Sequence, residues 1–378
     1  MSDLKGRPIR ALVPMACDGV GPSFTAARLM QGAYTAGFSA DMFVNRYRMP
    51  KTGLPVHVAL PGPFGHLPYR RVEALASRLI EARYEASLAE GDIAYLFPAV
   101  SLQLHETLQR RGVPIVLEGI NTRMASAKVI LDAAYDAFGA PAGHGITDDR
   151  IAEEEAKYAT ATTIFAPSGP VEQALAGSPL ASRFQSSSYG TDTGRSVSAR
   201  DYAAAERPLT FLFCGYASIR KGIHHLLDAW AVLPGTARLR IVGRIEPLIA
   251  ERYRDILASD RIETVGFVKD VHPHFAEADV FVMPSLEEGD PLVTYEAALH
   301  GLPVIASVMG GGRMGDVAGR MILVDPVEPD ALALALAELA GSTERREMLG
   351  TGLRRVVQDY DWAAVGARRA AMLQKMFS

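Results

Sequence analysis

The sequence predicts an α/β protein of two doubly wound domains, each a parallel sheet covered by helices, facing one cleft. Short apolar runs bounded by turn residues alternate with amphipathic stretches, and this alternation occurs twice, on either side of a polar segment. A length of 378 residues suits two domains rather than one. Residues 280–307 give the repeating unit most clearly: an apolar strand, a tight acidic loop, a helix and a second apolar strand.

In chain order, residues 9–17 (IRALVPMAC) read as the first strand. Gly19, Val20 and Gly21, in DGVGPS, lead from it into a helix over FTAARLMQGAYTAG. Glycine lets backbone approach a ligand closely, and free N–H groups at a helix start favour anions. GVGPS lacks the third glycine of a dinucleotide fingerprint, so NAD is not expected there, and a plain βα turn is the alternative. A strand (DMFVNRY), a proline-rich loop (LPVHVALPGPFGHLP) and a helix from Tyr69 to about Ala89 follow. That helix sets Val72, Leu75, Ala76, Leu79, Ile80 and Tyr84 on one stripe, the pattern of a core-facing helix more than of a membrane-surface one. DIAYLFPAV and PIVLEGIN read as strands separated by the helix SLQLHETLQRRG. DDRIAEEEAKY is an acidic amphipathic helix, and TTIFAPSG is a strand with a helix after it.

Residues 1–192 are assigned to the first domain and residues 193–208 (TGRSVSARDYAAAERP) to a linker. Residues 209–358 form the second domain, in which LTFLFCG, RLRIVG, IETVGFV, DVFVMPS, PVIAS and MILVDPV read as strands. IHHLLDAWAVL, LIAERYRDILA, HPHFAEA, Leu292 to His300 and PDALALALAELA read as the helices among them. Residues 359–378 hold a last helix, WAAVGARRAAMLQKMF.

A net charge of −4 gives no basic field to recruit nucleic acid. The opening MSDLKGRPIR lacks the apolar h-region of a signal peptide, and no apolar span has membrane-crossing length. The two cysteines, Cys17 and Cys214, fall in different domains, so a structural disulfide is not expected and a reducing cytoplasm fits. No HExxH or Cys/His constellation suggests a metal. Asp359-x-Asp361 precedes the last helix, where Asp361 reads as its N-cap. No G-x-S-x-G elbow supports a hydrolase.

The chemistry concentrates at two strand ends of the second domain. After DVFVMPS comes Glu287-Glu288-Gly289-Asp290-Pro291. Asp290 suits an N-cap and Pro291 the first helical position. Glu296 lies one turn into the helix that follows, and the loop can fold Glu288 and Glu296 toward one crevice beyond the strand ends. After LTFLFC, Arg220 and Lys221 precede a helix N-terminus. Cations there oppose the macrodipole unless an anion reverses the balance.

The string of Pro284, Ser285, Glu288, Gly289 and Glu296 followed by GLPVIAS resembles the donor-site motif of retaining glycosyltransferases of the GT-B fold, family four. The resemblance implies two Rossmann-like domains, with a nucleotide-diphosphate-sugar donor on the second and a sugar, glycan or lipid-linked acceptor on the first. It further implies retention of configuration without metal or cofactor, and a last helix that crosses back to the first domain, with peripheral membrane contact admitted. Tyr189, Gly190 and Asp192 are similar to the family's Tyr-Gly-x-Asp at the end of its first domain. By the resemblance, Glu288 sits by the transferred sugar and Glu296 takes the ribose hydroxyls. Lys221 holds the diphosphate with Gly222 after it, and Phe267 and Val268 lie on the edge that meets the base. Donor contacts run on through Gly289, Asp290, Pro291, Leu292 and Val293, with Asp290 left between a sugar contact and the cap, and the cap favoured. The family's G-R-x-x-x-x-K-G has Gly215 and then Tyr216 where its arginine stands, which leaves Arg220 to compensate or the grip to weaken. Gly310, Gly311 and Gly312 offer backbone donors to phosphate, but Arg313, Met314 and Gly315 follow in place of the family's acid. In the first domain Gly19, Val20 and Gly21 face the cleft, and Glu118 and Asn121, in VLEGINTR, occupy a region where many members carry a histidine. Two alternatives stay open: another GT-B enzyme, such as a nucleotide-sugar hydrolase or epimerase, and a carbohydrate-binding protein without turnover.

Overall fold

The computed structural model describes residues 5–60, 68–202, 207–328 and 330–378. Part of the proline-rich loop, four residues of the linker and the proline that opens PDALALALAELA lie outside the described residues. No helix among those described is long and apolar enough to cross a membrane.

The first sheet has seven parallel strands: β1 (Lys5–Cys17), β2 (Phe38–Tyr47), β3 (Val56–Val58), β4 (Ile93–Leu96), β5 (Ile115–Glu118), β6 (Thr163–Ala166) and β7 (Phe184–Ser186), in the order β3-β2-β1-β4-β5-β6-β7. Its helices are α1 (Gly21–Thr35), α2 (Tyr69–Ser87), α3 (Leu102–Arg110), α4 (Met124–Phe138), α5 (Asp148–Thr160) and α6 (Gly169–Ala176). The second sheet has six: β8 (Thr210–Cys214), β9 (Arg238–Val242), β10 (Ile262–Gly266), β11 (Val280–Met283), β12 (Val304–Ala306) and β13 (Ile322–Leu323), in the order β10-β9-β8-β11-β12-β13. Helices α7 (Ile223–Val232), α8 (Pro247–Arg252), α9 (Arg254–Leu257), α10 (His272–Glu277), α11 (Leu292–Leu299), α12 (Val308–Gly315), α13 (Ala331–Gly341) and α14 (Thr343–Val356) belong to it, and α15 (Trp362–Phe377) ends the chain. Both sheets are doubly wound, as the alternation predicts. The strand order reverses beside β1 and beside β8, which opens a crevice at the carboxyl ends of those strands.

Strands covered on both faces need continuous apolar runs, and TFLFC and VFVM are buried at every position. Helix α15 returns to the first domain and packs along α1. A Cβ on Gly366 would stand 2.3 Å from the Leu29 carbonyl oxygen, so the two helices meet backbone to backbone. Asp361 caps α15 by accepting from the Ala363 N–H at 2.8 Å, as read from the sequence.

Several elements depart from the sequence reading. β3 forms inside the proline-rich loop as an edge strand, where proline is tolerated. β7, α4 and α14 were not assigned from the sequence at all. LIAERYRDILA breaks into α8 and α9 at Tyr253, whose hydroxyl donates to Asp228. On α2 only Ala76, Ile80 and Tyr84, spaced by four, are buried. Leu75 is 56% exposed, because a helix laid on a sheet covers a narrower line than its apolar stripe.

Candidate active site

The crevice of the second domain lies beyond the ends of β8 and β11. Glycine is required in the first of these loops: Gly222 has φ +67°, and a Cβ there would strike the Pro284 carbonyl oxygen at 1.9 Å. The β8 and β11 loops therefore touch, which brings Lys221 to Glu288 and Arg220 to Glu287. Lys221 Nζ is in direct contact with the Glu288 carboxylate, and Arg220 Nε pairs with Glu287 at 2.6 Å. The cations that oppose the dipole of α7 are thus matched by the protein's own acids. Burial and neighbouring Arg220 push the Lys221 ammonium down to about 7, while the carboxylate of Glu287 works the other way.

Glu296, on the first turns of α11, is half-buried, and its side chain makes no hydrogen bond to another described residue. Burial raises its pKa to about 7, with Arg195 working to lower it and Asp270 to raise it. The buried Cys214 thiol at the end of β8 is raised to about 12 chiefly by burial, with Glu296 raising it further and Lys221 lowering it. The first-turn N–H groups of α11, at Leu292 and Val293, have no partner within the helix and lie beside the same loop.

Phe267 projects at the far end of β10, 63% exposed, with the Arg244 guanidinium 5.9 Å from its ring centroid, and Val268 beside it is half-buried. Tyr216 is also exposed, next to Gly215, so the position of the family's arginine carries an open aromatic ring. In the first domain, Gly19 and Gly21 both have positive φ, and no other described residue lies within 4 Å of a Cβ built on either. Val20 stands exposed between them. Among the described residues this loop is uncovered, as a ligand-facing loop requires.

Contacts between the domains surround the acidic loop. Asn121 accepts from Arg220 at 3.3 Å, and Thr122 donates to Glu287 at 2.6 Å. A Cβ on Gly289 would lie 1.6 Å from the Ile120 carbonyl oxygen, and the Gly289 carbonyl accepts from the Ser168 hydroxyl. Tyr135 donates to Glu246 at 2.9 Å. Glu287 and Thr122 were missed by the sequence reading. The doubled acid Glu287-Glu288 was the available signal, but nothing local says that the first acid turns to Arg220 and to the other domain.

Three expectations are corrected. Asp290 neither caps α11 nor faces a ligand: the N-cap is Pro291, with no side-chain cap, and the Asp290 carboxylate is buried under three donors. Burial raises its pKa to about 6 against those hydrogen bonds. Glu118 is fully buried among the residues that line a cavity of the first domain, but its carboxylate is already held by the protein and is not a free hydrogen-bonding group. It accepts from Arg369 at 2.6 Å, from Tyr189 at 2.9 Å and from Tyr95. Gly310 and Gly311 lie inside α12, and their N–H groups go to the Ser307 hydroxyl and carbonyl at 2.8 Å each, so they present no donors to a ligand.

Behind the loop of residues 119–123 the first domain holds a cavity of about 260 Å³. Pro98, Met124, Arg150, Glu154 and Tyr158 are among the residues lining it. Glu154 accepts from the Met124 N–H at 2.6 Å, and burial raises its pKa to about 7. Among the described residues no group of three or more His, Cys, Asp or Glu side chains could hold a metal ion.

Residues 208–342 match the family model described as glycosyl transferases group 1. The chain is 34% identical over 171 residues to MMP alpha-(1->4)-mannosyltransferase of Mycolicibacterium hassiacum, covering 41% of this chain and 40% of that protein. It is 32% identical over 171 residues to D-inositol 3-phosphate glycosyltransferase of Xylanimonas cellulosilytica, with the same coverage. The chain thus spans about two fifths of the length of the curated relatives it matches. Among solved structures, sucrose-phosphate synthase from Thermosynechococcus elongatus superposes with a TM-score of 0.74 at 20% identity, covering 98% of this chain and 99% of that one. Anabaena HepE in complex with UDP and glucose superposes at 0.69 and 17% identity, covering 97% and 99%.

Proposed function

We propose that the chain is a GT-B protein of the glycosyl transferases group 1 and that it transfers a sugar from a nucleotide-diphosphate-sugar to an acceptor hydroxyl, with retention of configuration and without metal. The observation that carries this reading is the contact of Lys221 with Glu288 where β8 and β11 end, with Glu296 on the helix α11 that follows the same loop. In it the ribose diol lies on the Glu296 carboxylate, which supplies the acceptors a diol needs. The base rests against Phe267 and Val268, and the diphosphate takes Lys221, Arg220 and the N–H groups that open α7 and α11.

Donor binding is then an ion exchange. The diphosphate displaces Glu288 from Lys221 and Glu287 from Arg220, and the freed Glu288 turns to the transferred sugar. As the bond from sugar to phosphate breaks, negative charge grows on the leaving diphosphate. Fixed positive groups already aimed at it lower that barrier, which is electrostatic preorganisation rather than acid–base work. The acceptor is held by the first domain, by the open loop of Gly19, Val20 and Gly21 and the cavity beside Glu154. UDP bound to HepE belongs to that protein. Here the base is left to a thermal-shift panel of UDP, GDP, ADP and TDP. One of them should stabilise the fold by about 2.7 kcal/mol at a hundredfold excess over its dissociation constant. The matching nucleotide-sugar, incubated with acceptors, should give a product of unchanged anomeric configuration by NMR. Sugar release without transfer to any acceptor would favour a hydrolase, and no response to the whole panel would remove the donor site.

A further inference from the structure

Two departures from the donor motif, Asp290 after Glu288-Gly289 and Arg313 after the glycine run, meet in space. Asp290 is 5% exposed. One oxygen accepts from the Tyr189 backbone N–H at 2.9 Å and from the Tyr295 hydroxyl at 2.6 Å. The other accepts from the Arg313 backbone N–H at 2.8 Å. Tyr189 belongs to the end of the first domain, whereas Tyr295 and Arg313 stand on α11 and α12 of the second. The Arg313 side chain continues across the boundary. It donates to the carbonyls of Ser187 at 2.8 Å and Pro167 at 3.3 Å, past the ends of β7 and β6, and pairs with Glu172 on α6. Tyr360, in the segment that leads back to the first domain, packs on Tyr295 with ring centroids 5.4 Å apart. Every acceptor site used on Asp290 is filled by protein, so no ligand is needed to explain its charge.

We propose that Asp290 and Arg313 are positioning residues: a pin between the domains, beside the crossover segments, that fixes the Glu288 loop against the first domain's strand ends. The proposal rests on the donor reading above for the identity of the reaction, but its geometry does not. The residues assigned to nucleotide binding, Lys221, Glu296 and Phe267, all belong to the second domain. Loosening the pin leaves that half-site intact and shifts it against the acceptor side. Misplacement of reacting groups by about 1 Å costs on the order of a hundredfold in rate.

The test uses the full chain with Asp290→Asn and Arg313→Lys. Asparagine keeps the shape but turns an NH₂ group toward the donors. Lysine keeps the charge but cannot span Ser187, Pro167 and Glu172 as a fork does. The tightest binder among UDP, GDP, ADP and TDP should bind both variants within about twofold of wild type by calorimetry. Turnover of the corresponding nucleotide-glucose should fall by about tenfold to a hundredfold in kcat. Hydrogen exchange at the Tyr189 amide should speed up by about tenfold or more in Asp290→Asn, with β8 and β11 unchanged. A loss of nucleoside diphosphate affinity in either variant would make these residues donor ligands and overturn the pin. So would unchanged kcat, or an unchanged Tyr189 amide. If Asp290→Asn fails to fold, Arg313→Lys carries the kcat test alone. If no nucleoside diphosphate binds wild type, the donor reading fails while the exchange experiment still decides the pin.

Discussion

Glu118 and Arg369 stand 251 positions apart and form an ion pair at 2.6 Å with side chains 0% and 3% exposed. Arg369 also donates to the Tyr95 hydroxyl at 2.7 Å and to the Ser188 carbonyl at 2.8 Å. The pair ties the returning helix α15 to the end of β5. Removing one partner strands a buried charge, so Arg369→Leu or Glu118→Leu should each cost about 3–5 kcal/mol in urea unfolding, and the double substitution less than the sum. Additive costs would mean that the two charges are stabilised independently.

Lys221→Ala should weaken nucleoside diphosphate binding by about 1.5–3 kcal/mol, the worth of a charge-assisted hydrogen bond, and nucleoside binding much less. Calorimetry with both ligands checks it. Equal losses would place Lys221 away from the diphosphate.

Glu296→Gln should lower donor affinity by about tenfold to a hundredfold, since one acceptor oxygen becomes a donor facing a diol. The 2′-deoxy donor should lose less against the variant than against wild type. A double cycle with zero coupling, both single changes being harmful, would put Glu296 elsewhere.

On the proposed reading turnover should persist in excess chelator, because Arg220 and Lys221 would supply the positive charge at the diphosphate. Activity lost in chelator and restored by Mg²⁺ or Mn²⁺ would contradict that assignment.

His105 is fully buried, with Nδ1 2.9 Å from the Thr160 hydroxyl, and burial lowers its pKa from 6.5 to about 4. The unfolded chain therefore takes up this proton first. The stability due to His105 is whole above pH 6.5 and is lost as pH falls toward 4, by on the order of 3 kcal/mol. Glu154, raised to about 7, acts in the opposite sense: its contribution favours the fold as pH falls. The test is thus a difference. Between pH 6.5 and 4.5 His105→Asn should lose less stability than wild type and Glu154→Gln more, in thermal melts across that range. Parallel pH curves for His105→Asn and wild type would rule out the buried neutral histidine as the cause.

Local pattern determined much of this protein. The doubly wound sheets follow from apolar runs alternating with amphipathic stretches, because a strand buried on both faces must be apolar throughout. The acidic loop, Lys221 and Glu296 were legible because a strand–loop–helix unit delivers its loop to a known end of the sheet. Tertiary structure decided what the charged residues touch. Asp290 looked like a cap because cap preference is local, yet its carboxylate found three stronger donors in elements as remote as Tyr189 and Arg313. Glu118 looked like a free hydrogen-bonding group because it ends a strand, but α15 brings Arg369 onto its carboxylate. The doubled acid marked Glu287 but not its contacts, since its partners Arg220 and Thr122 lie in two different domains. Burial and backbone hydrogen bonding have periods that a sequence displays. The pairing of buried charges depends on which surfaces meet, and those surfaces exist only once both domains have folded.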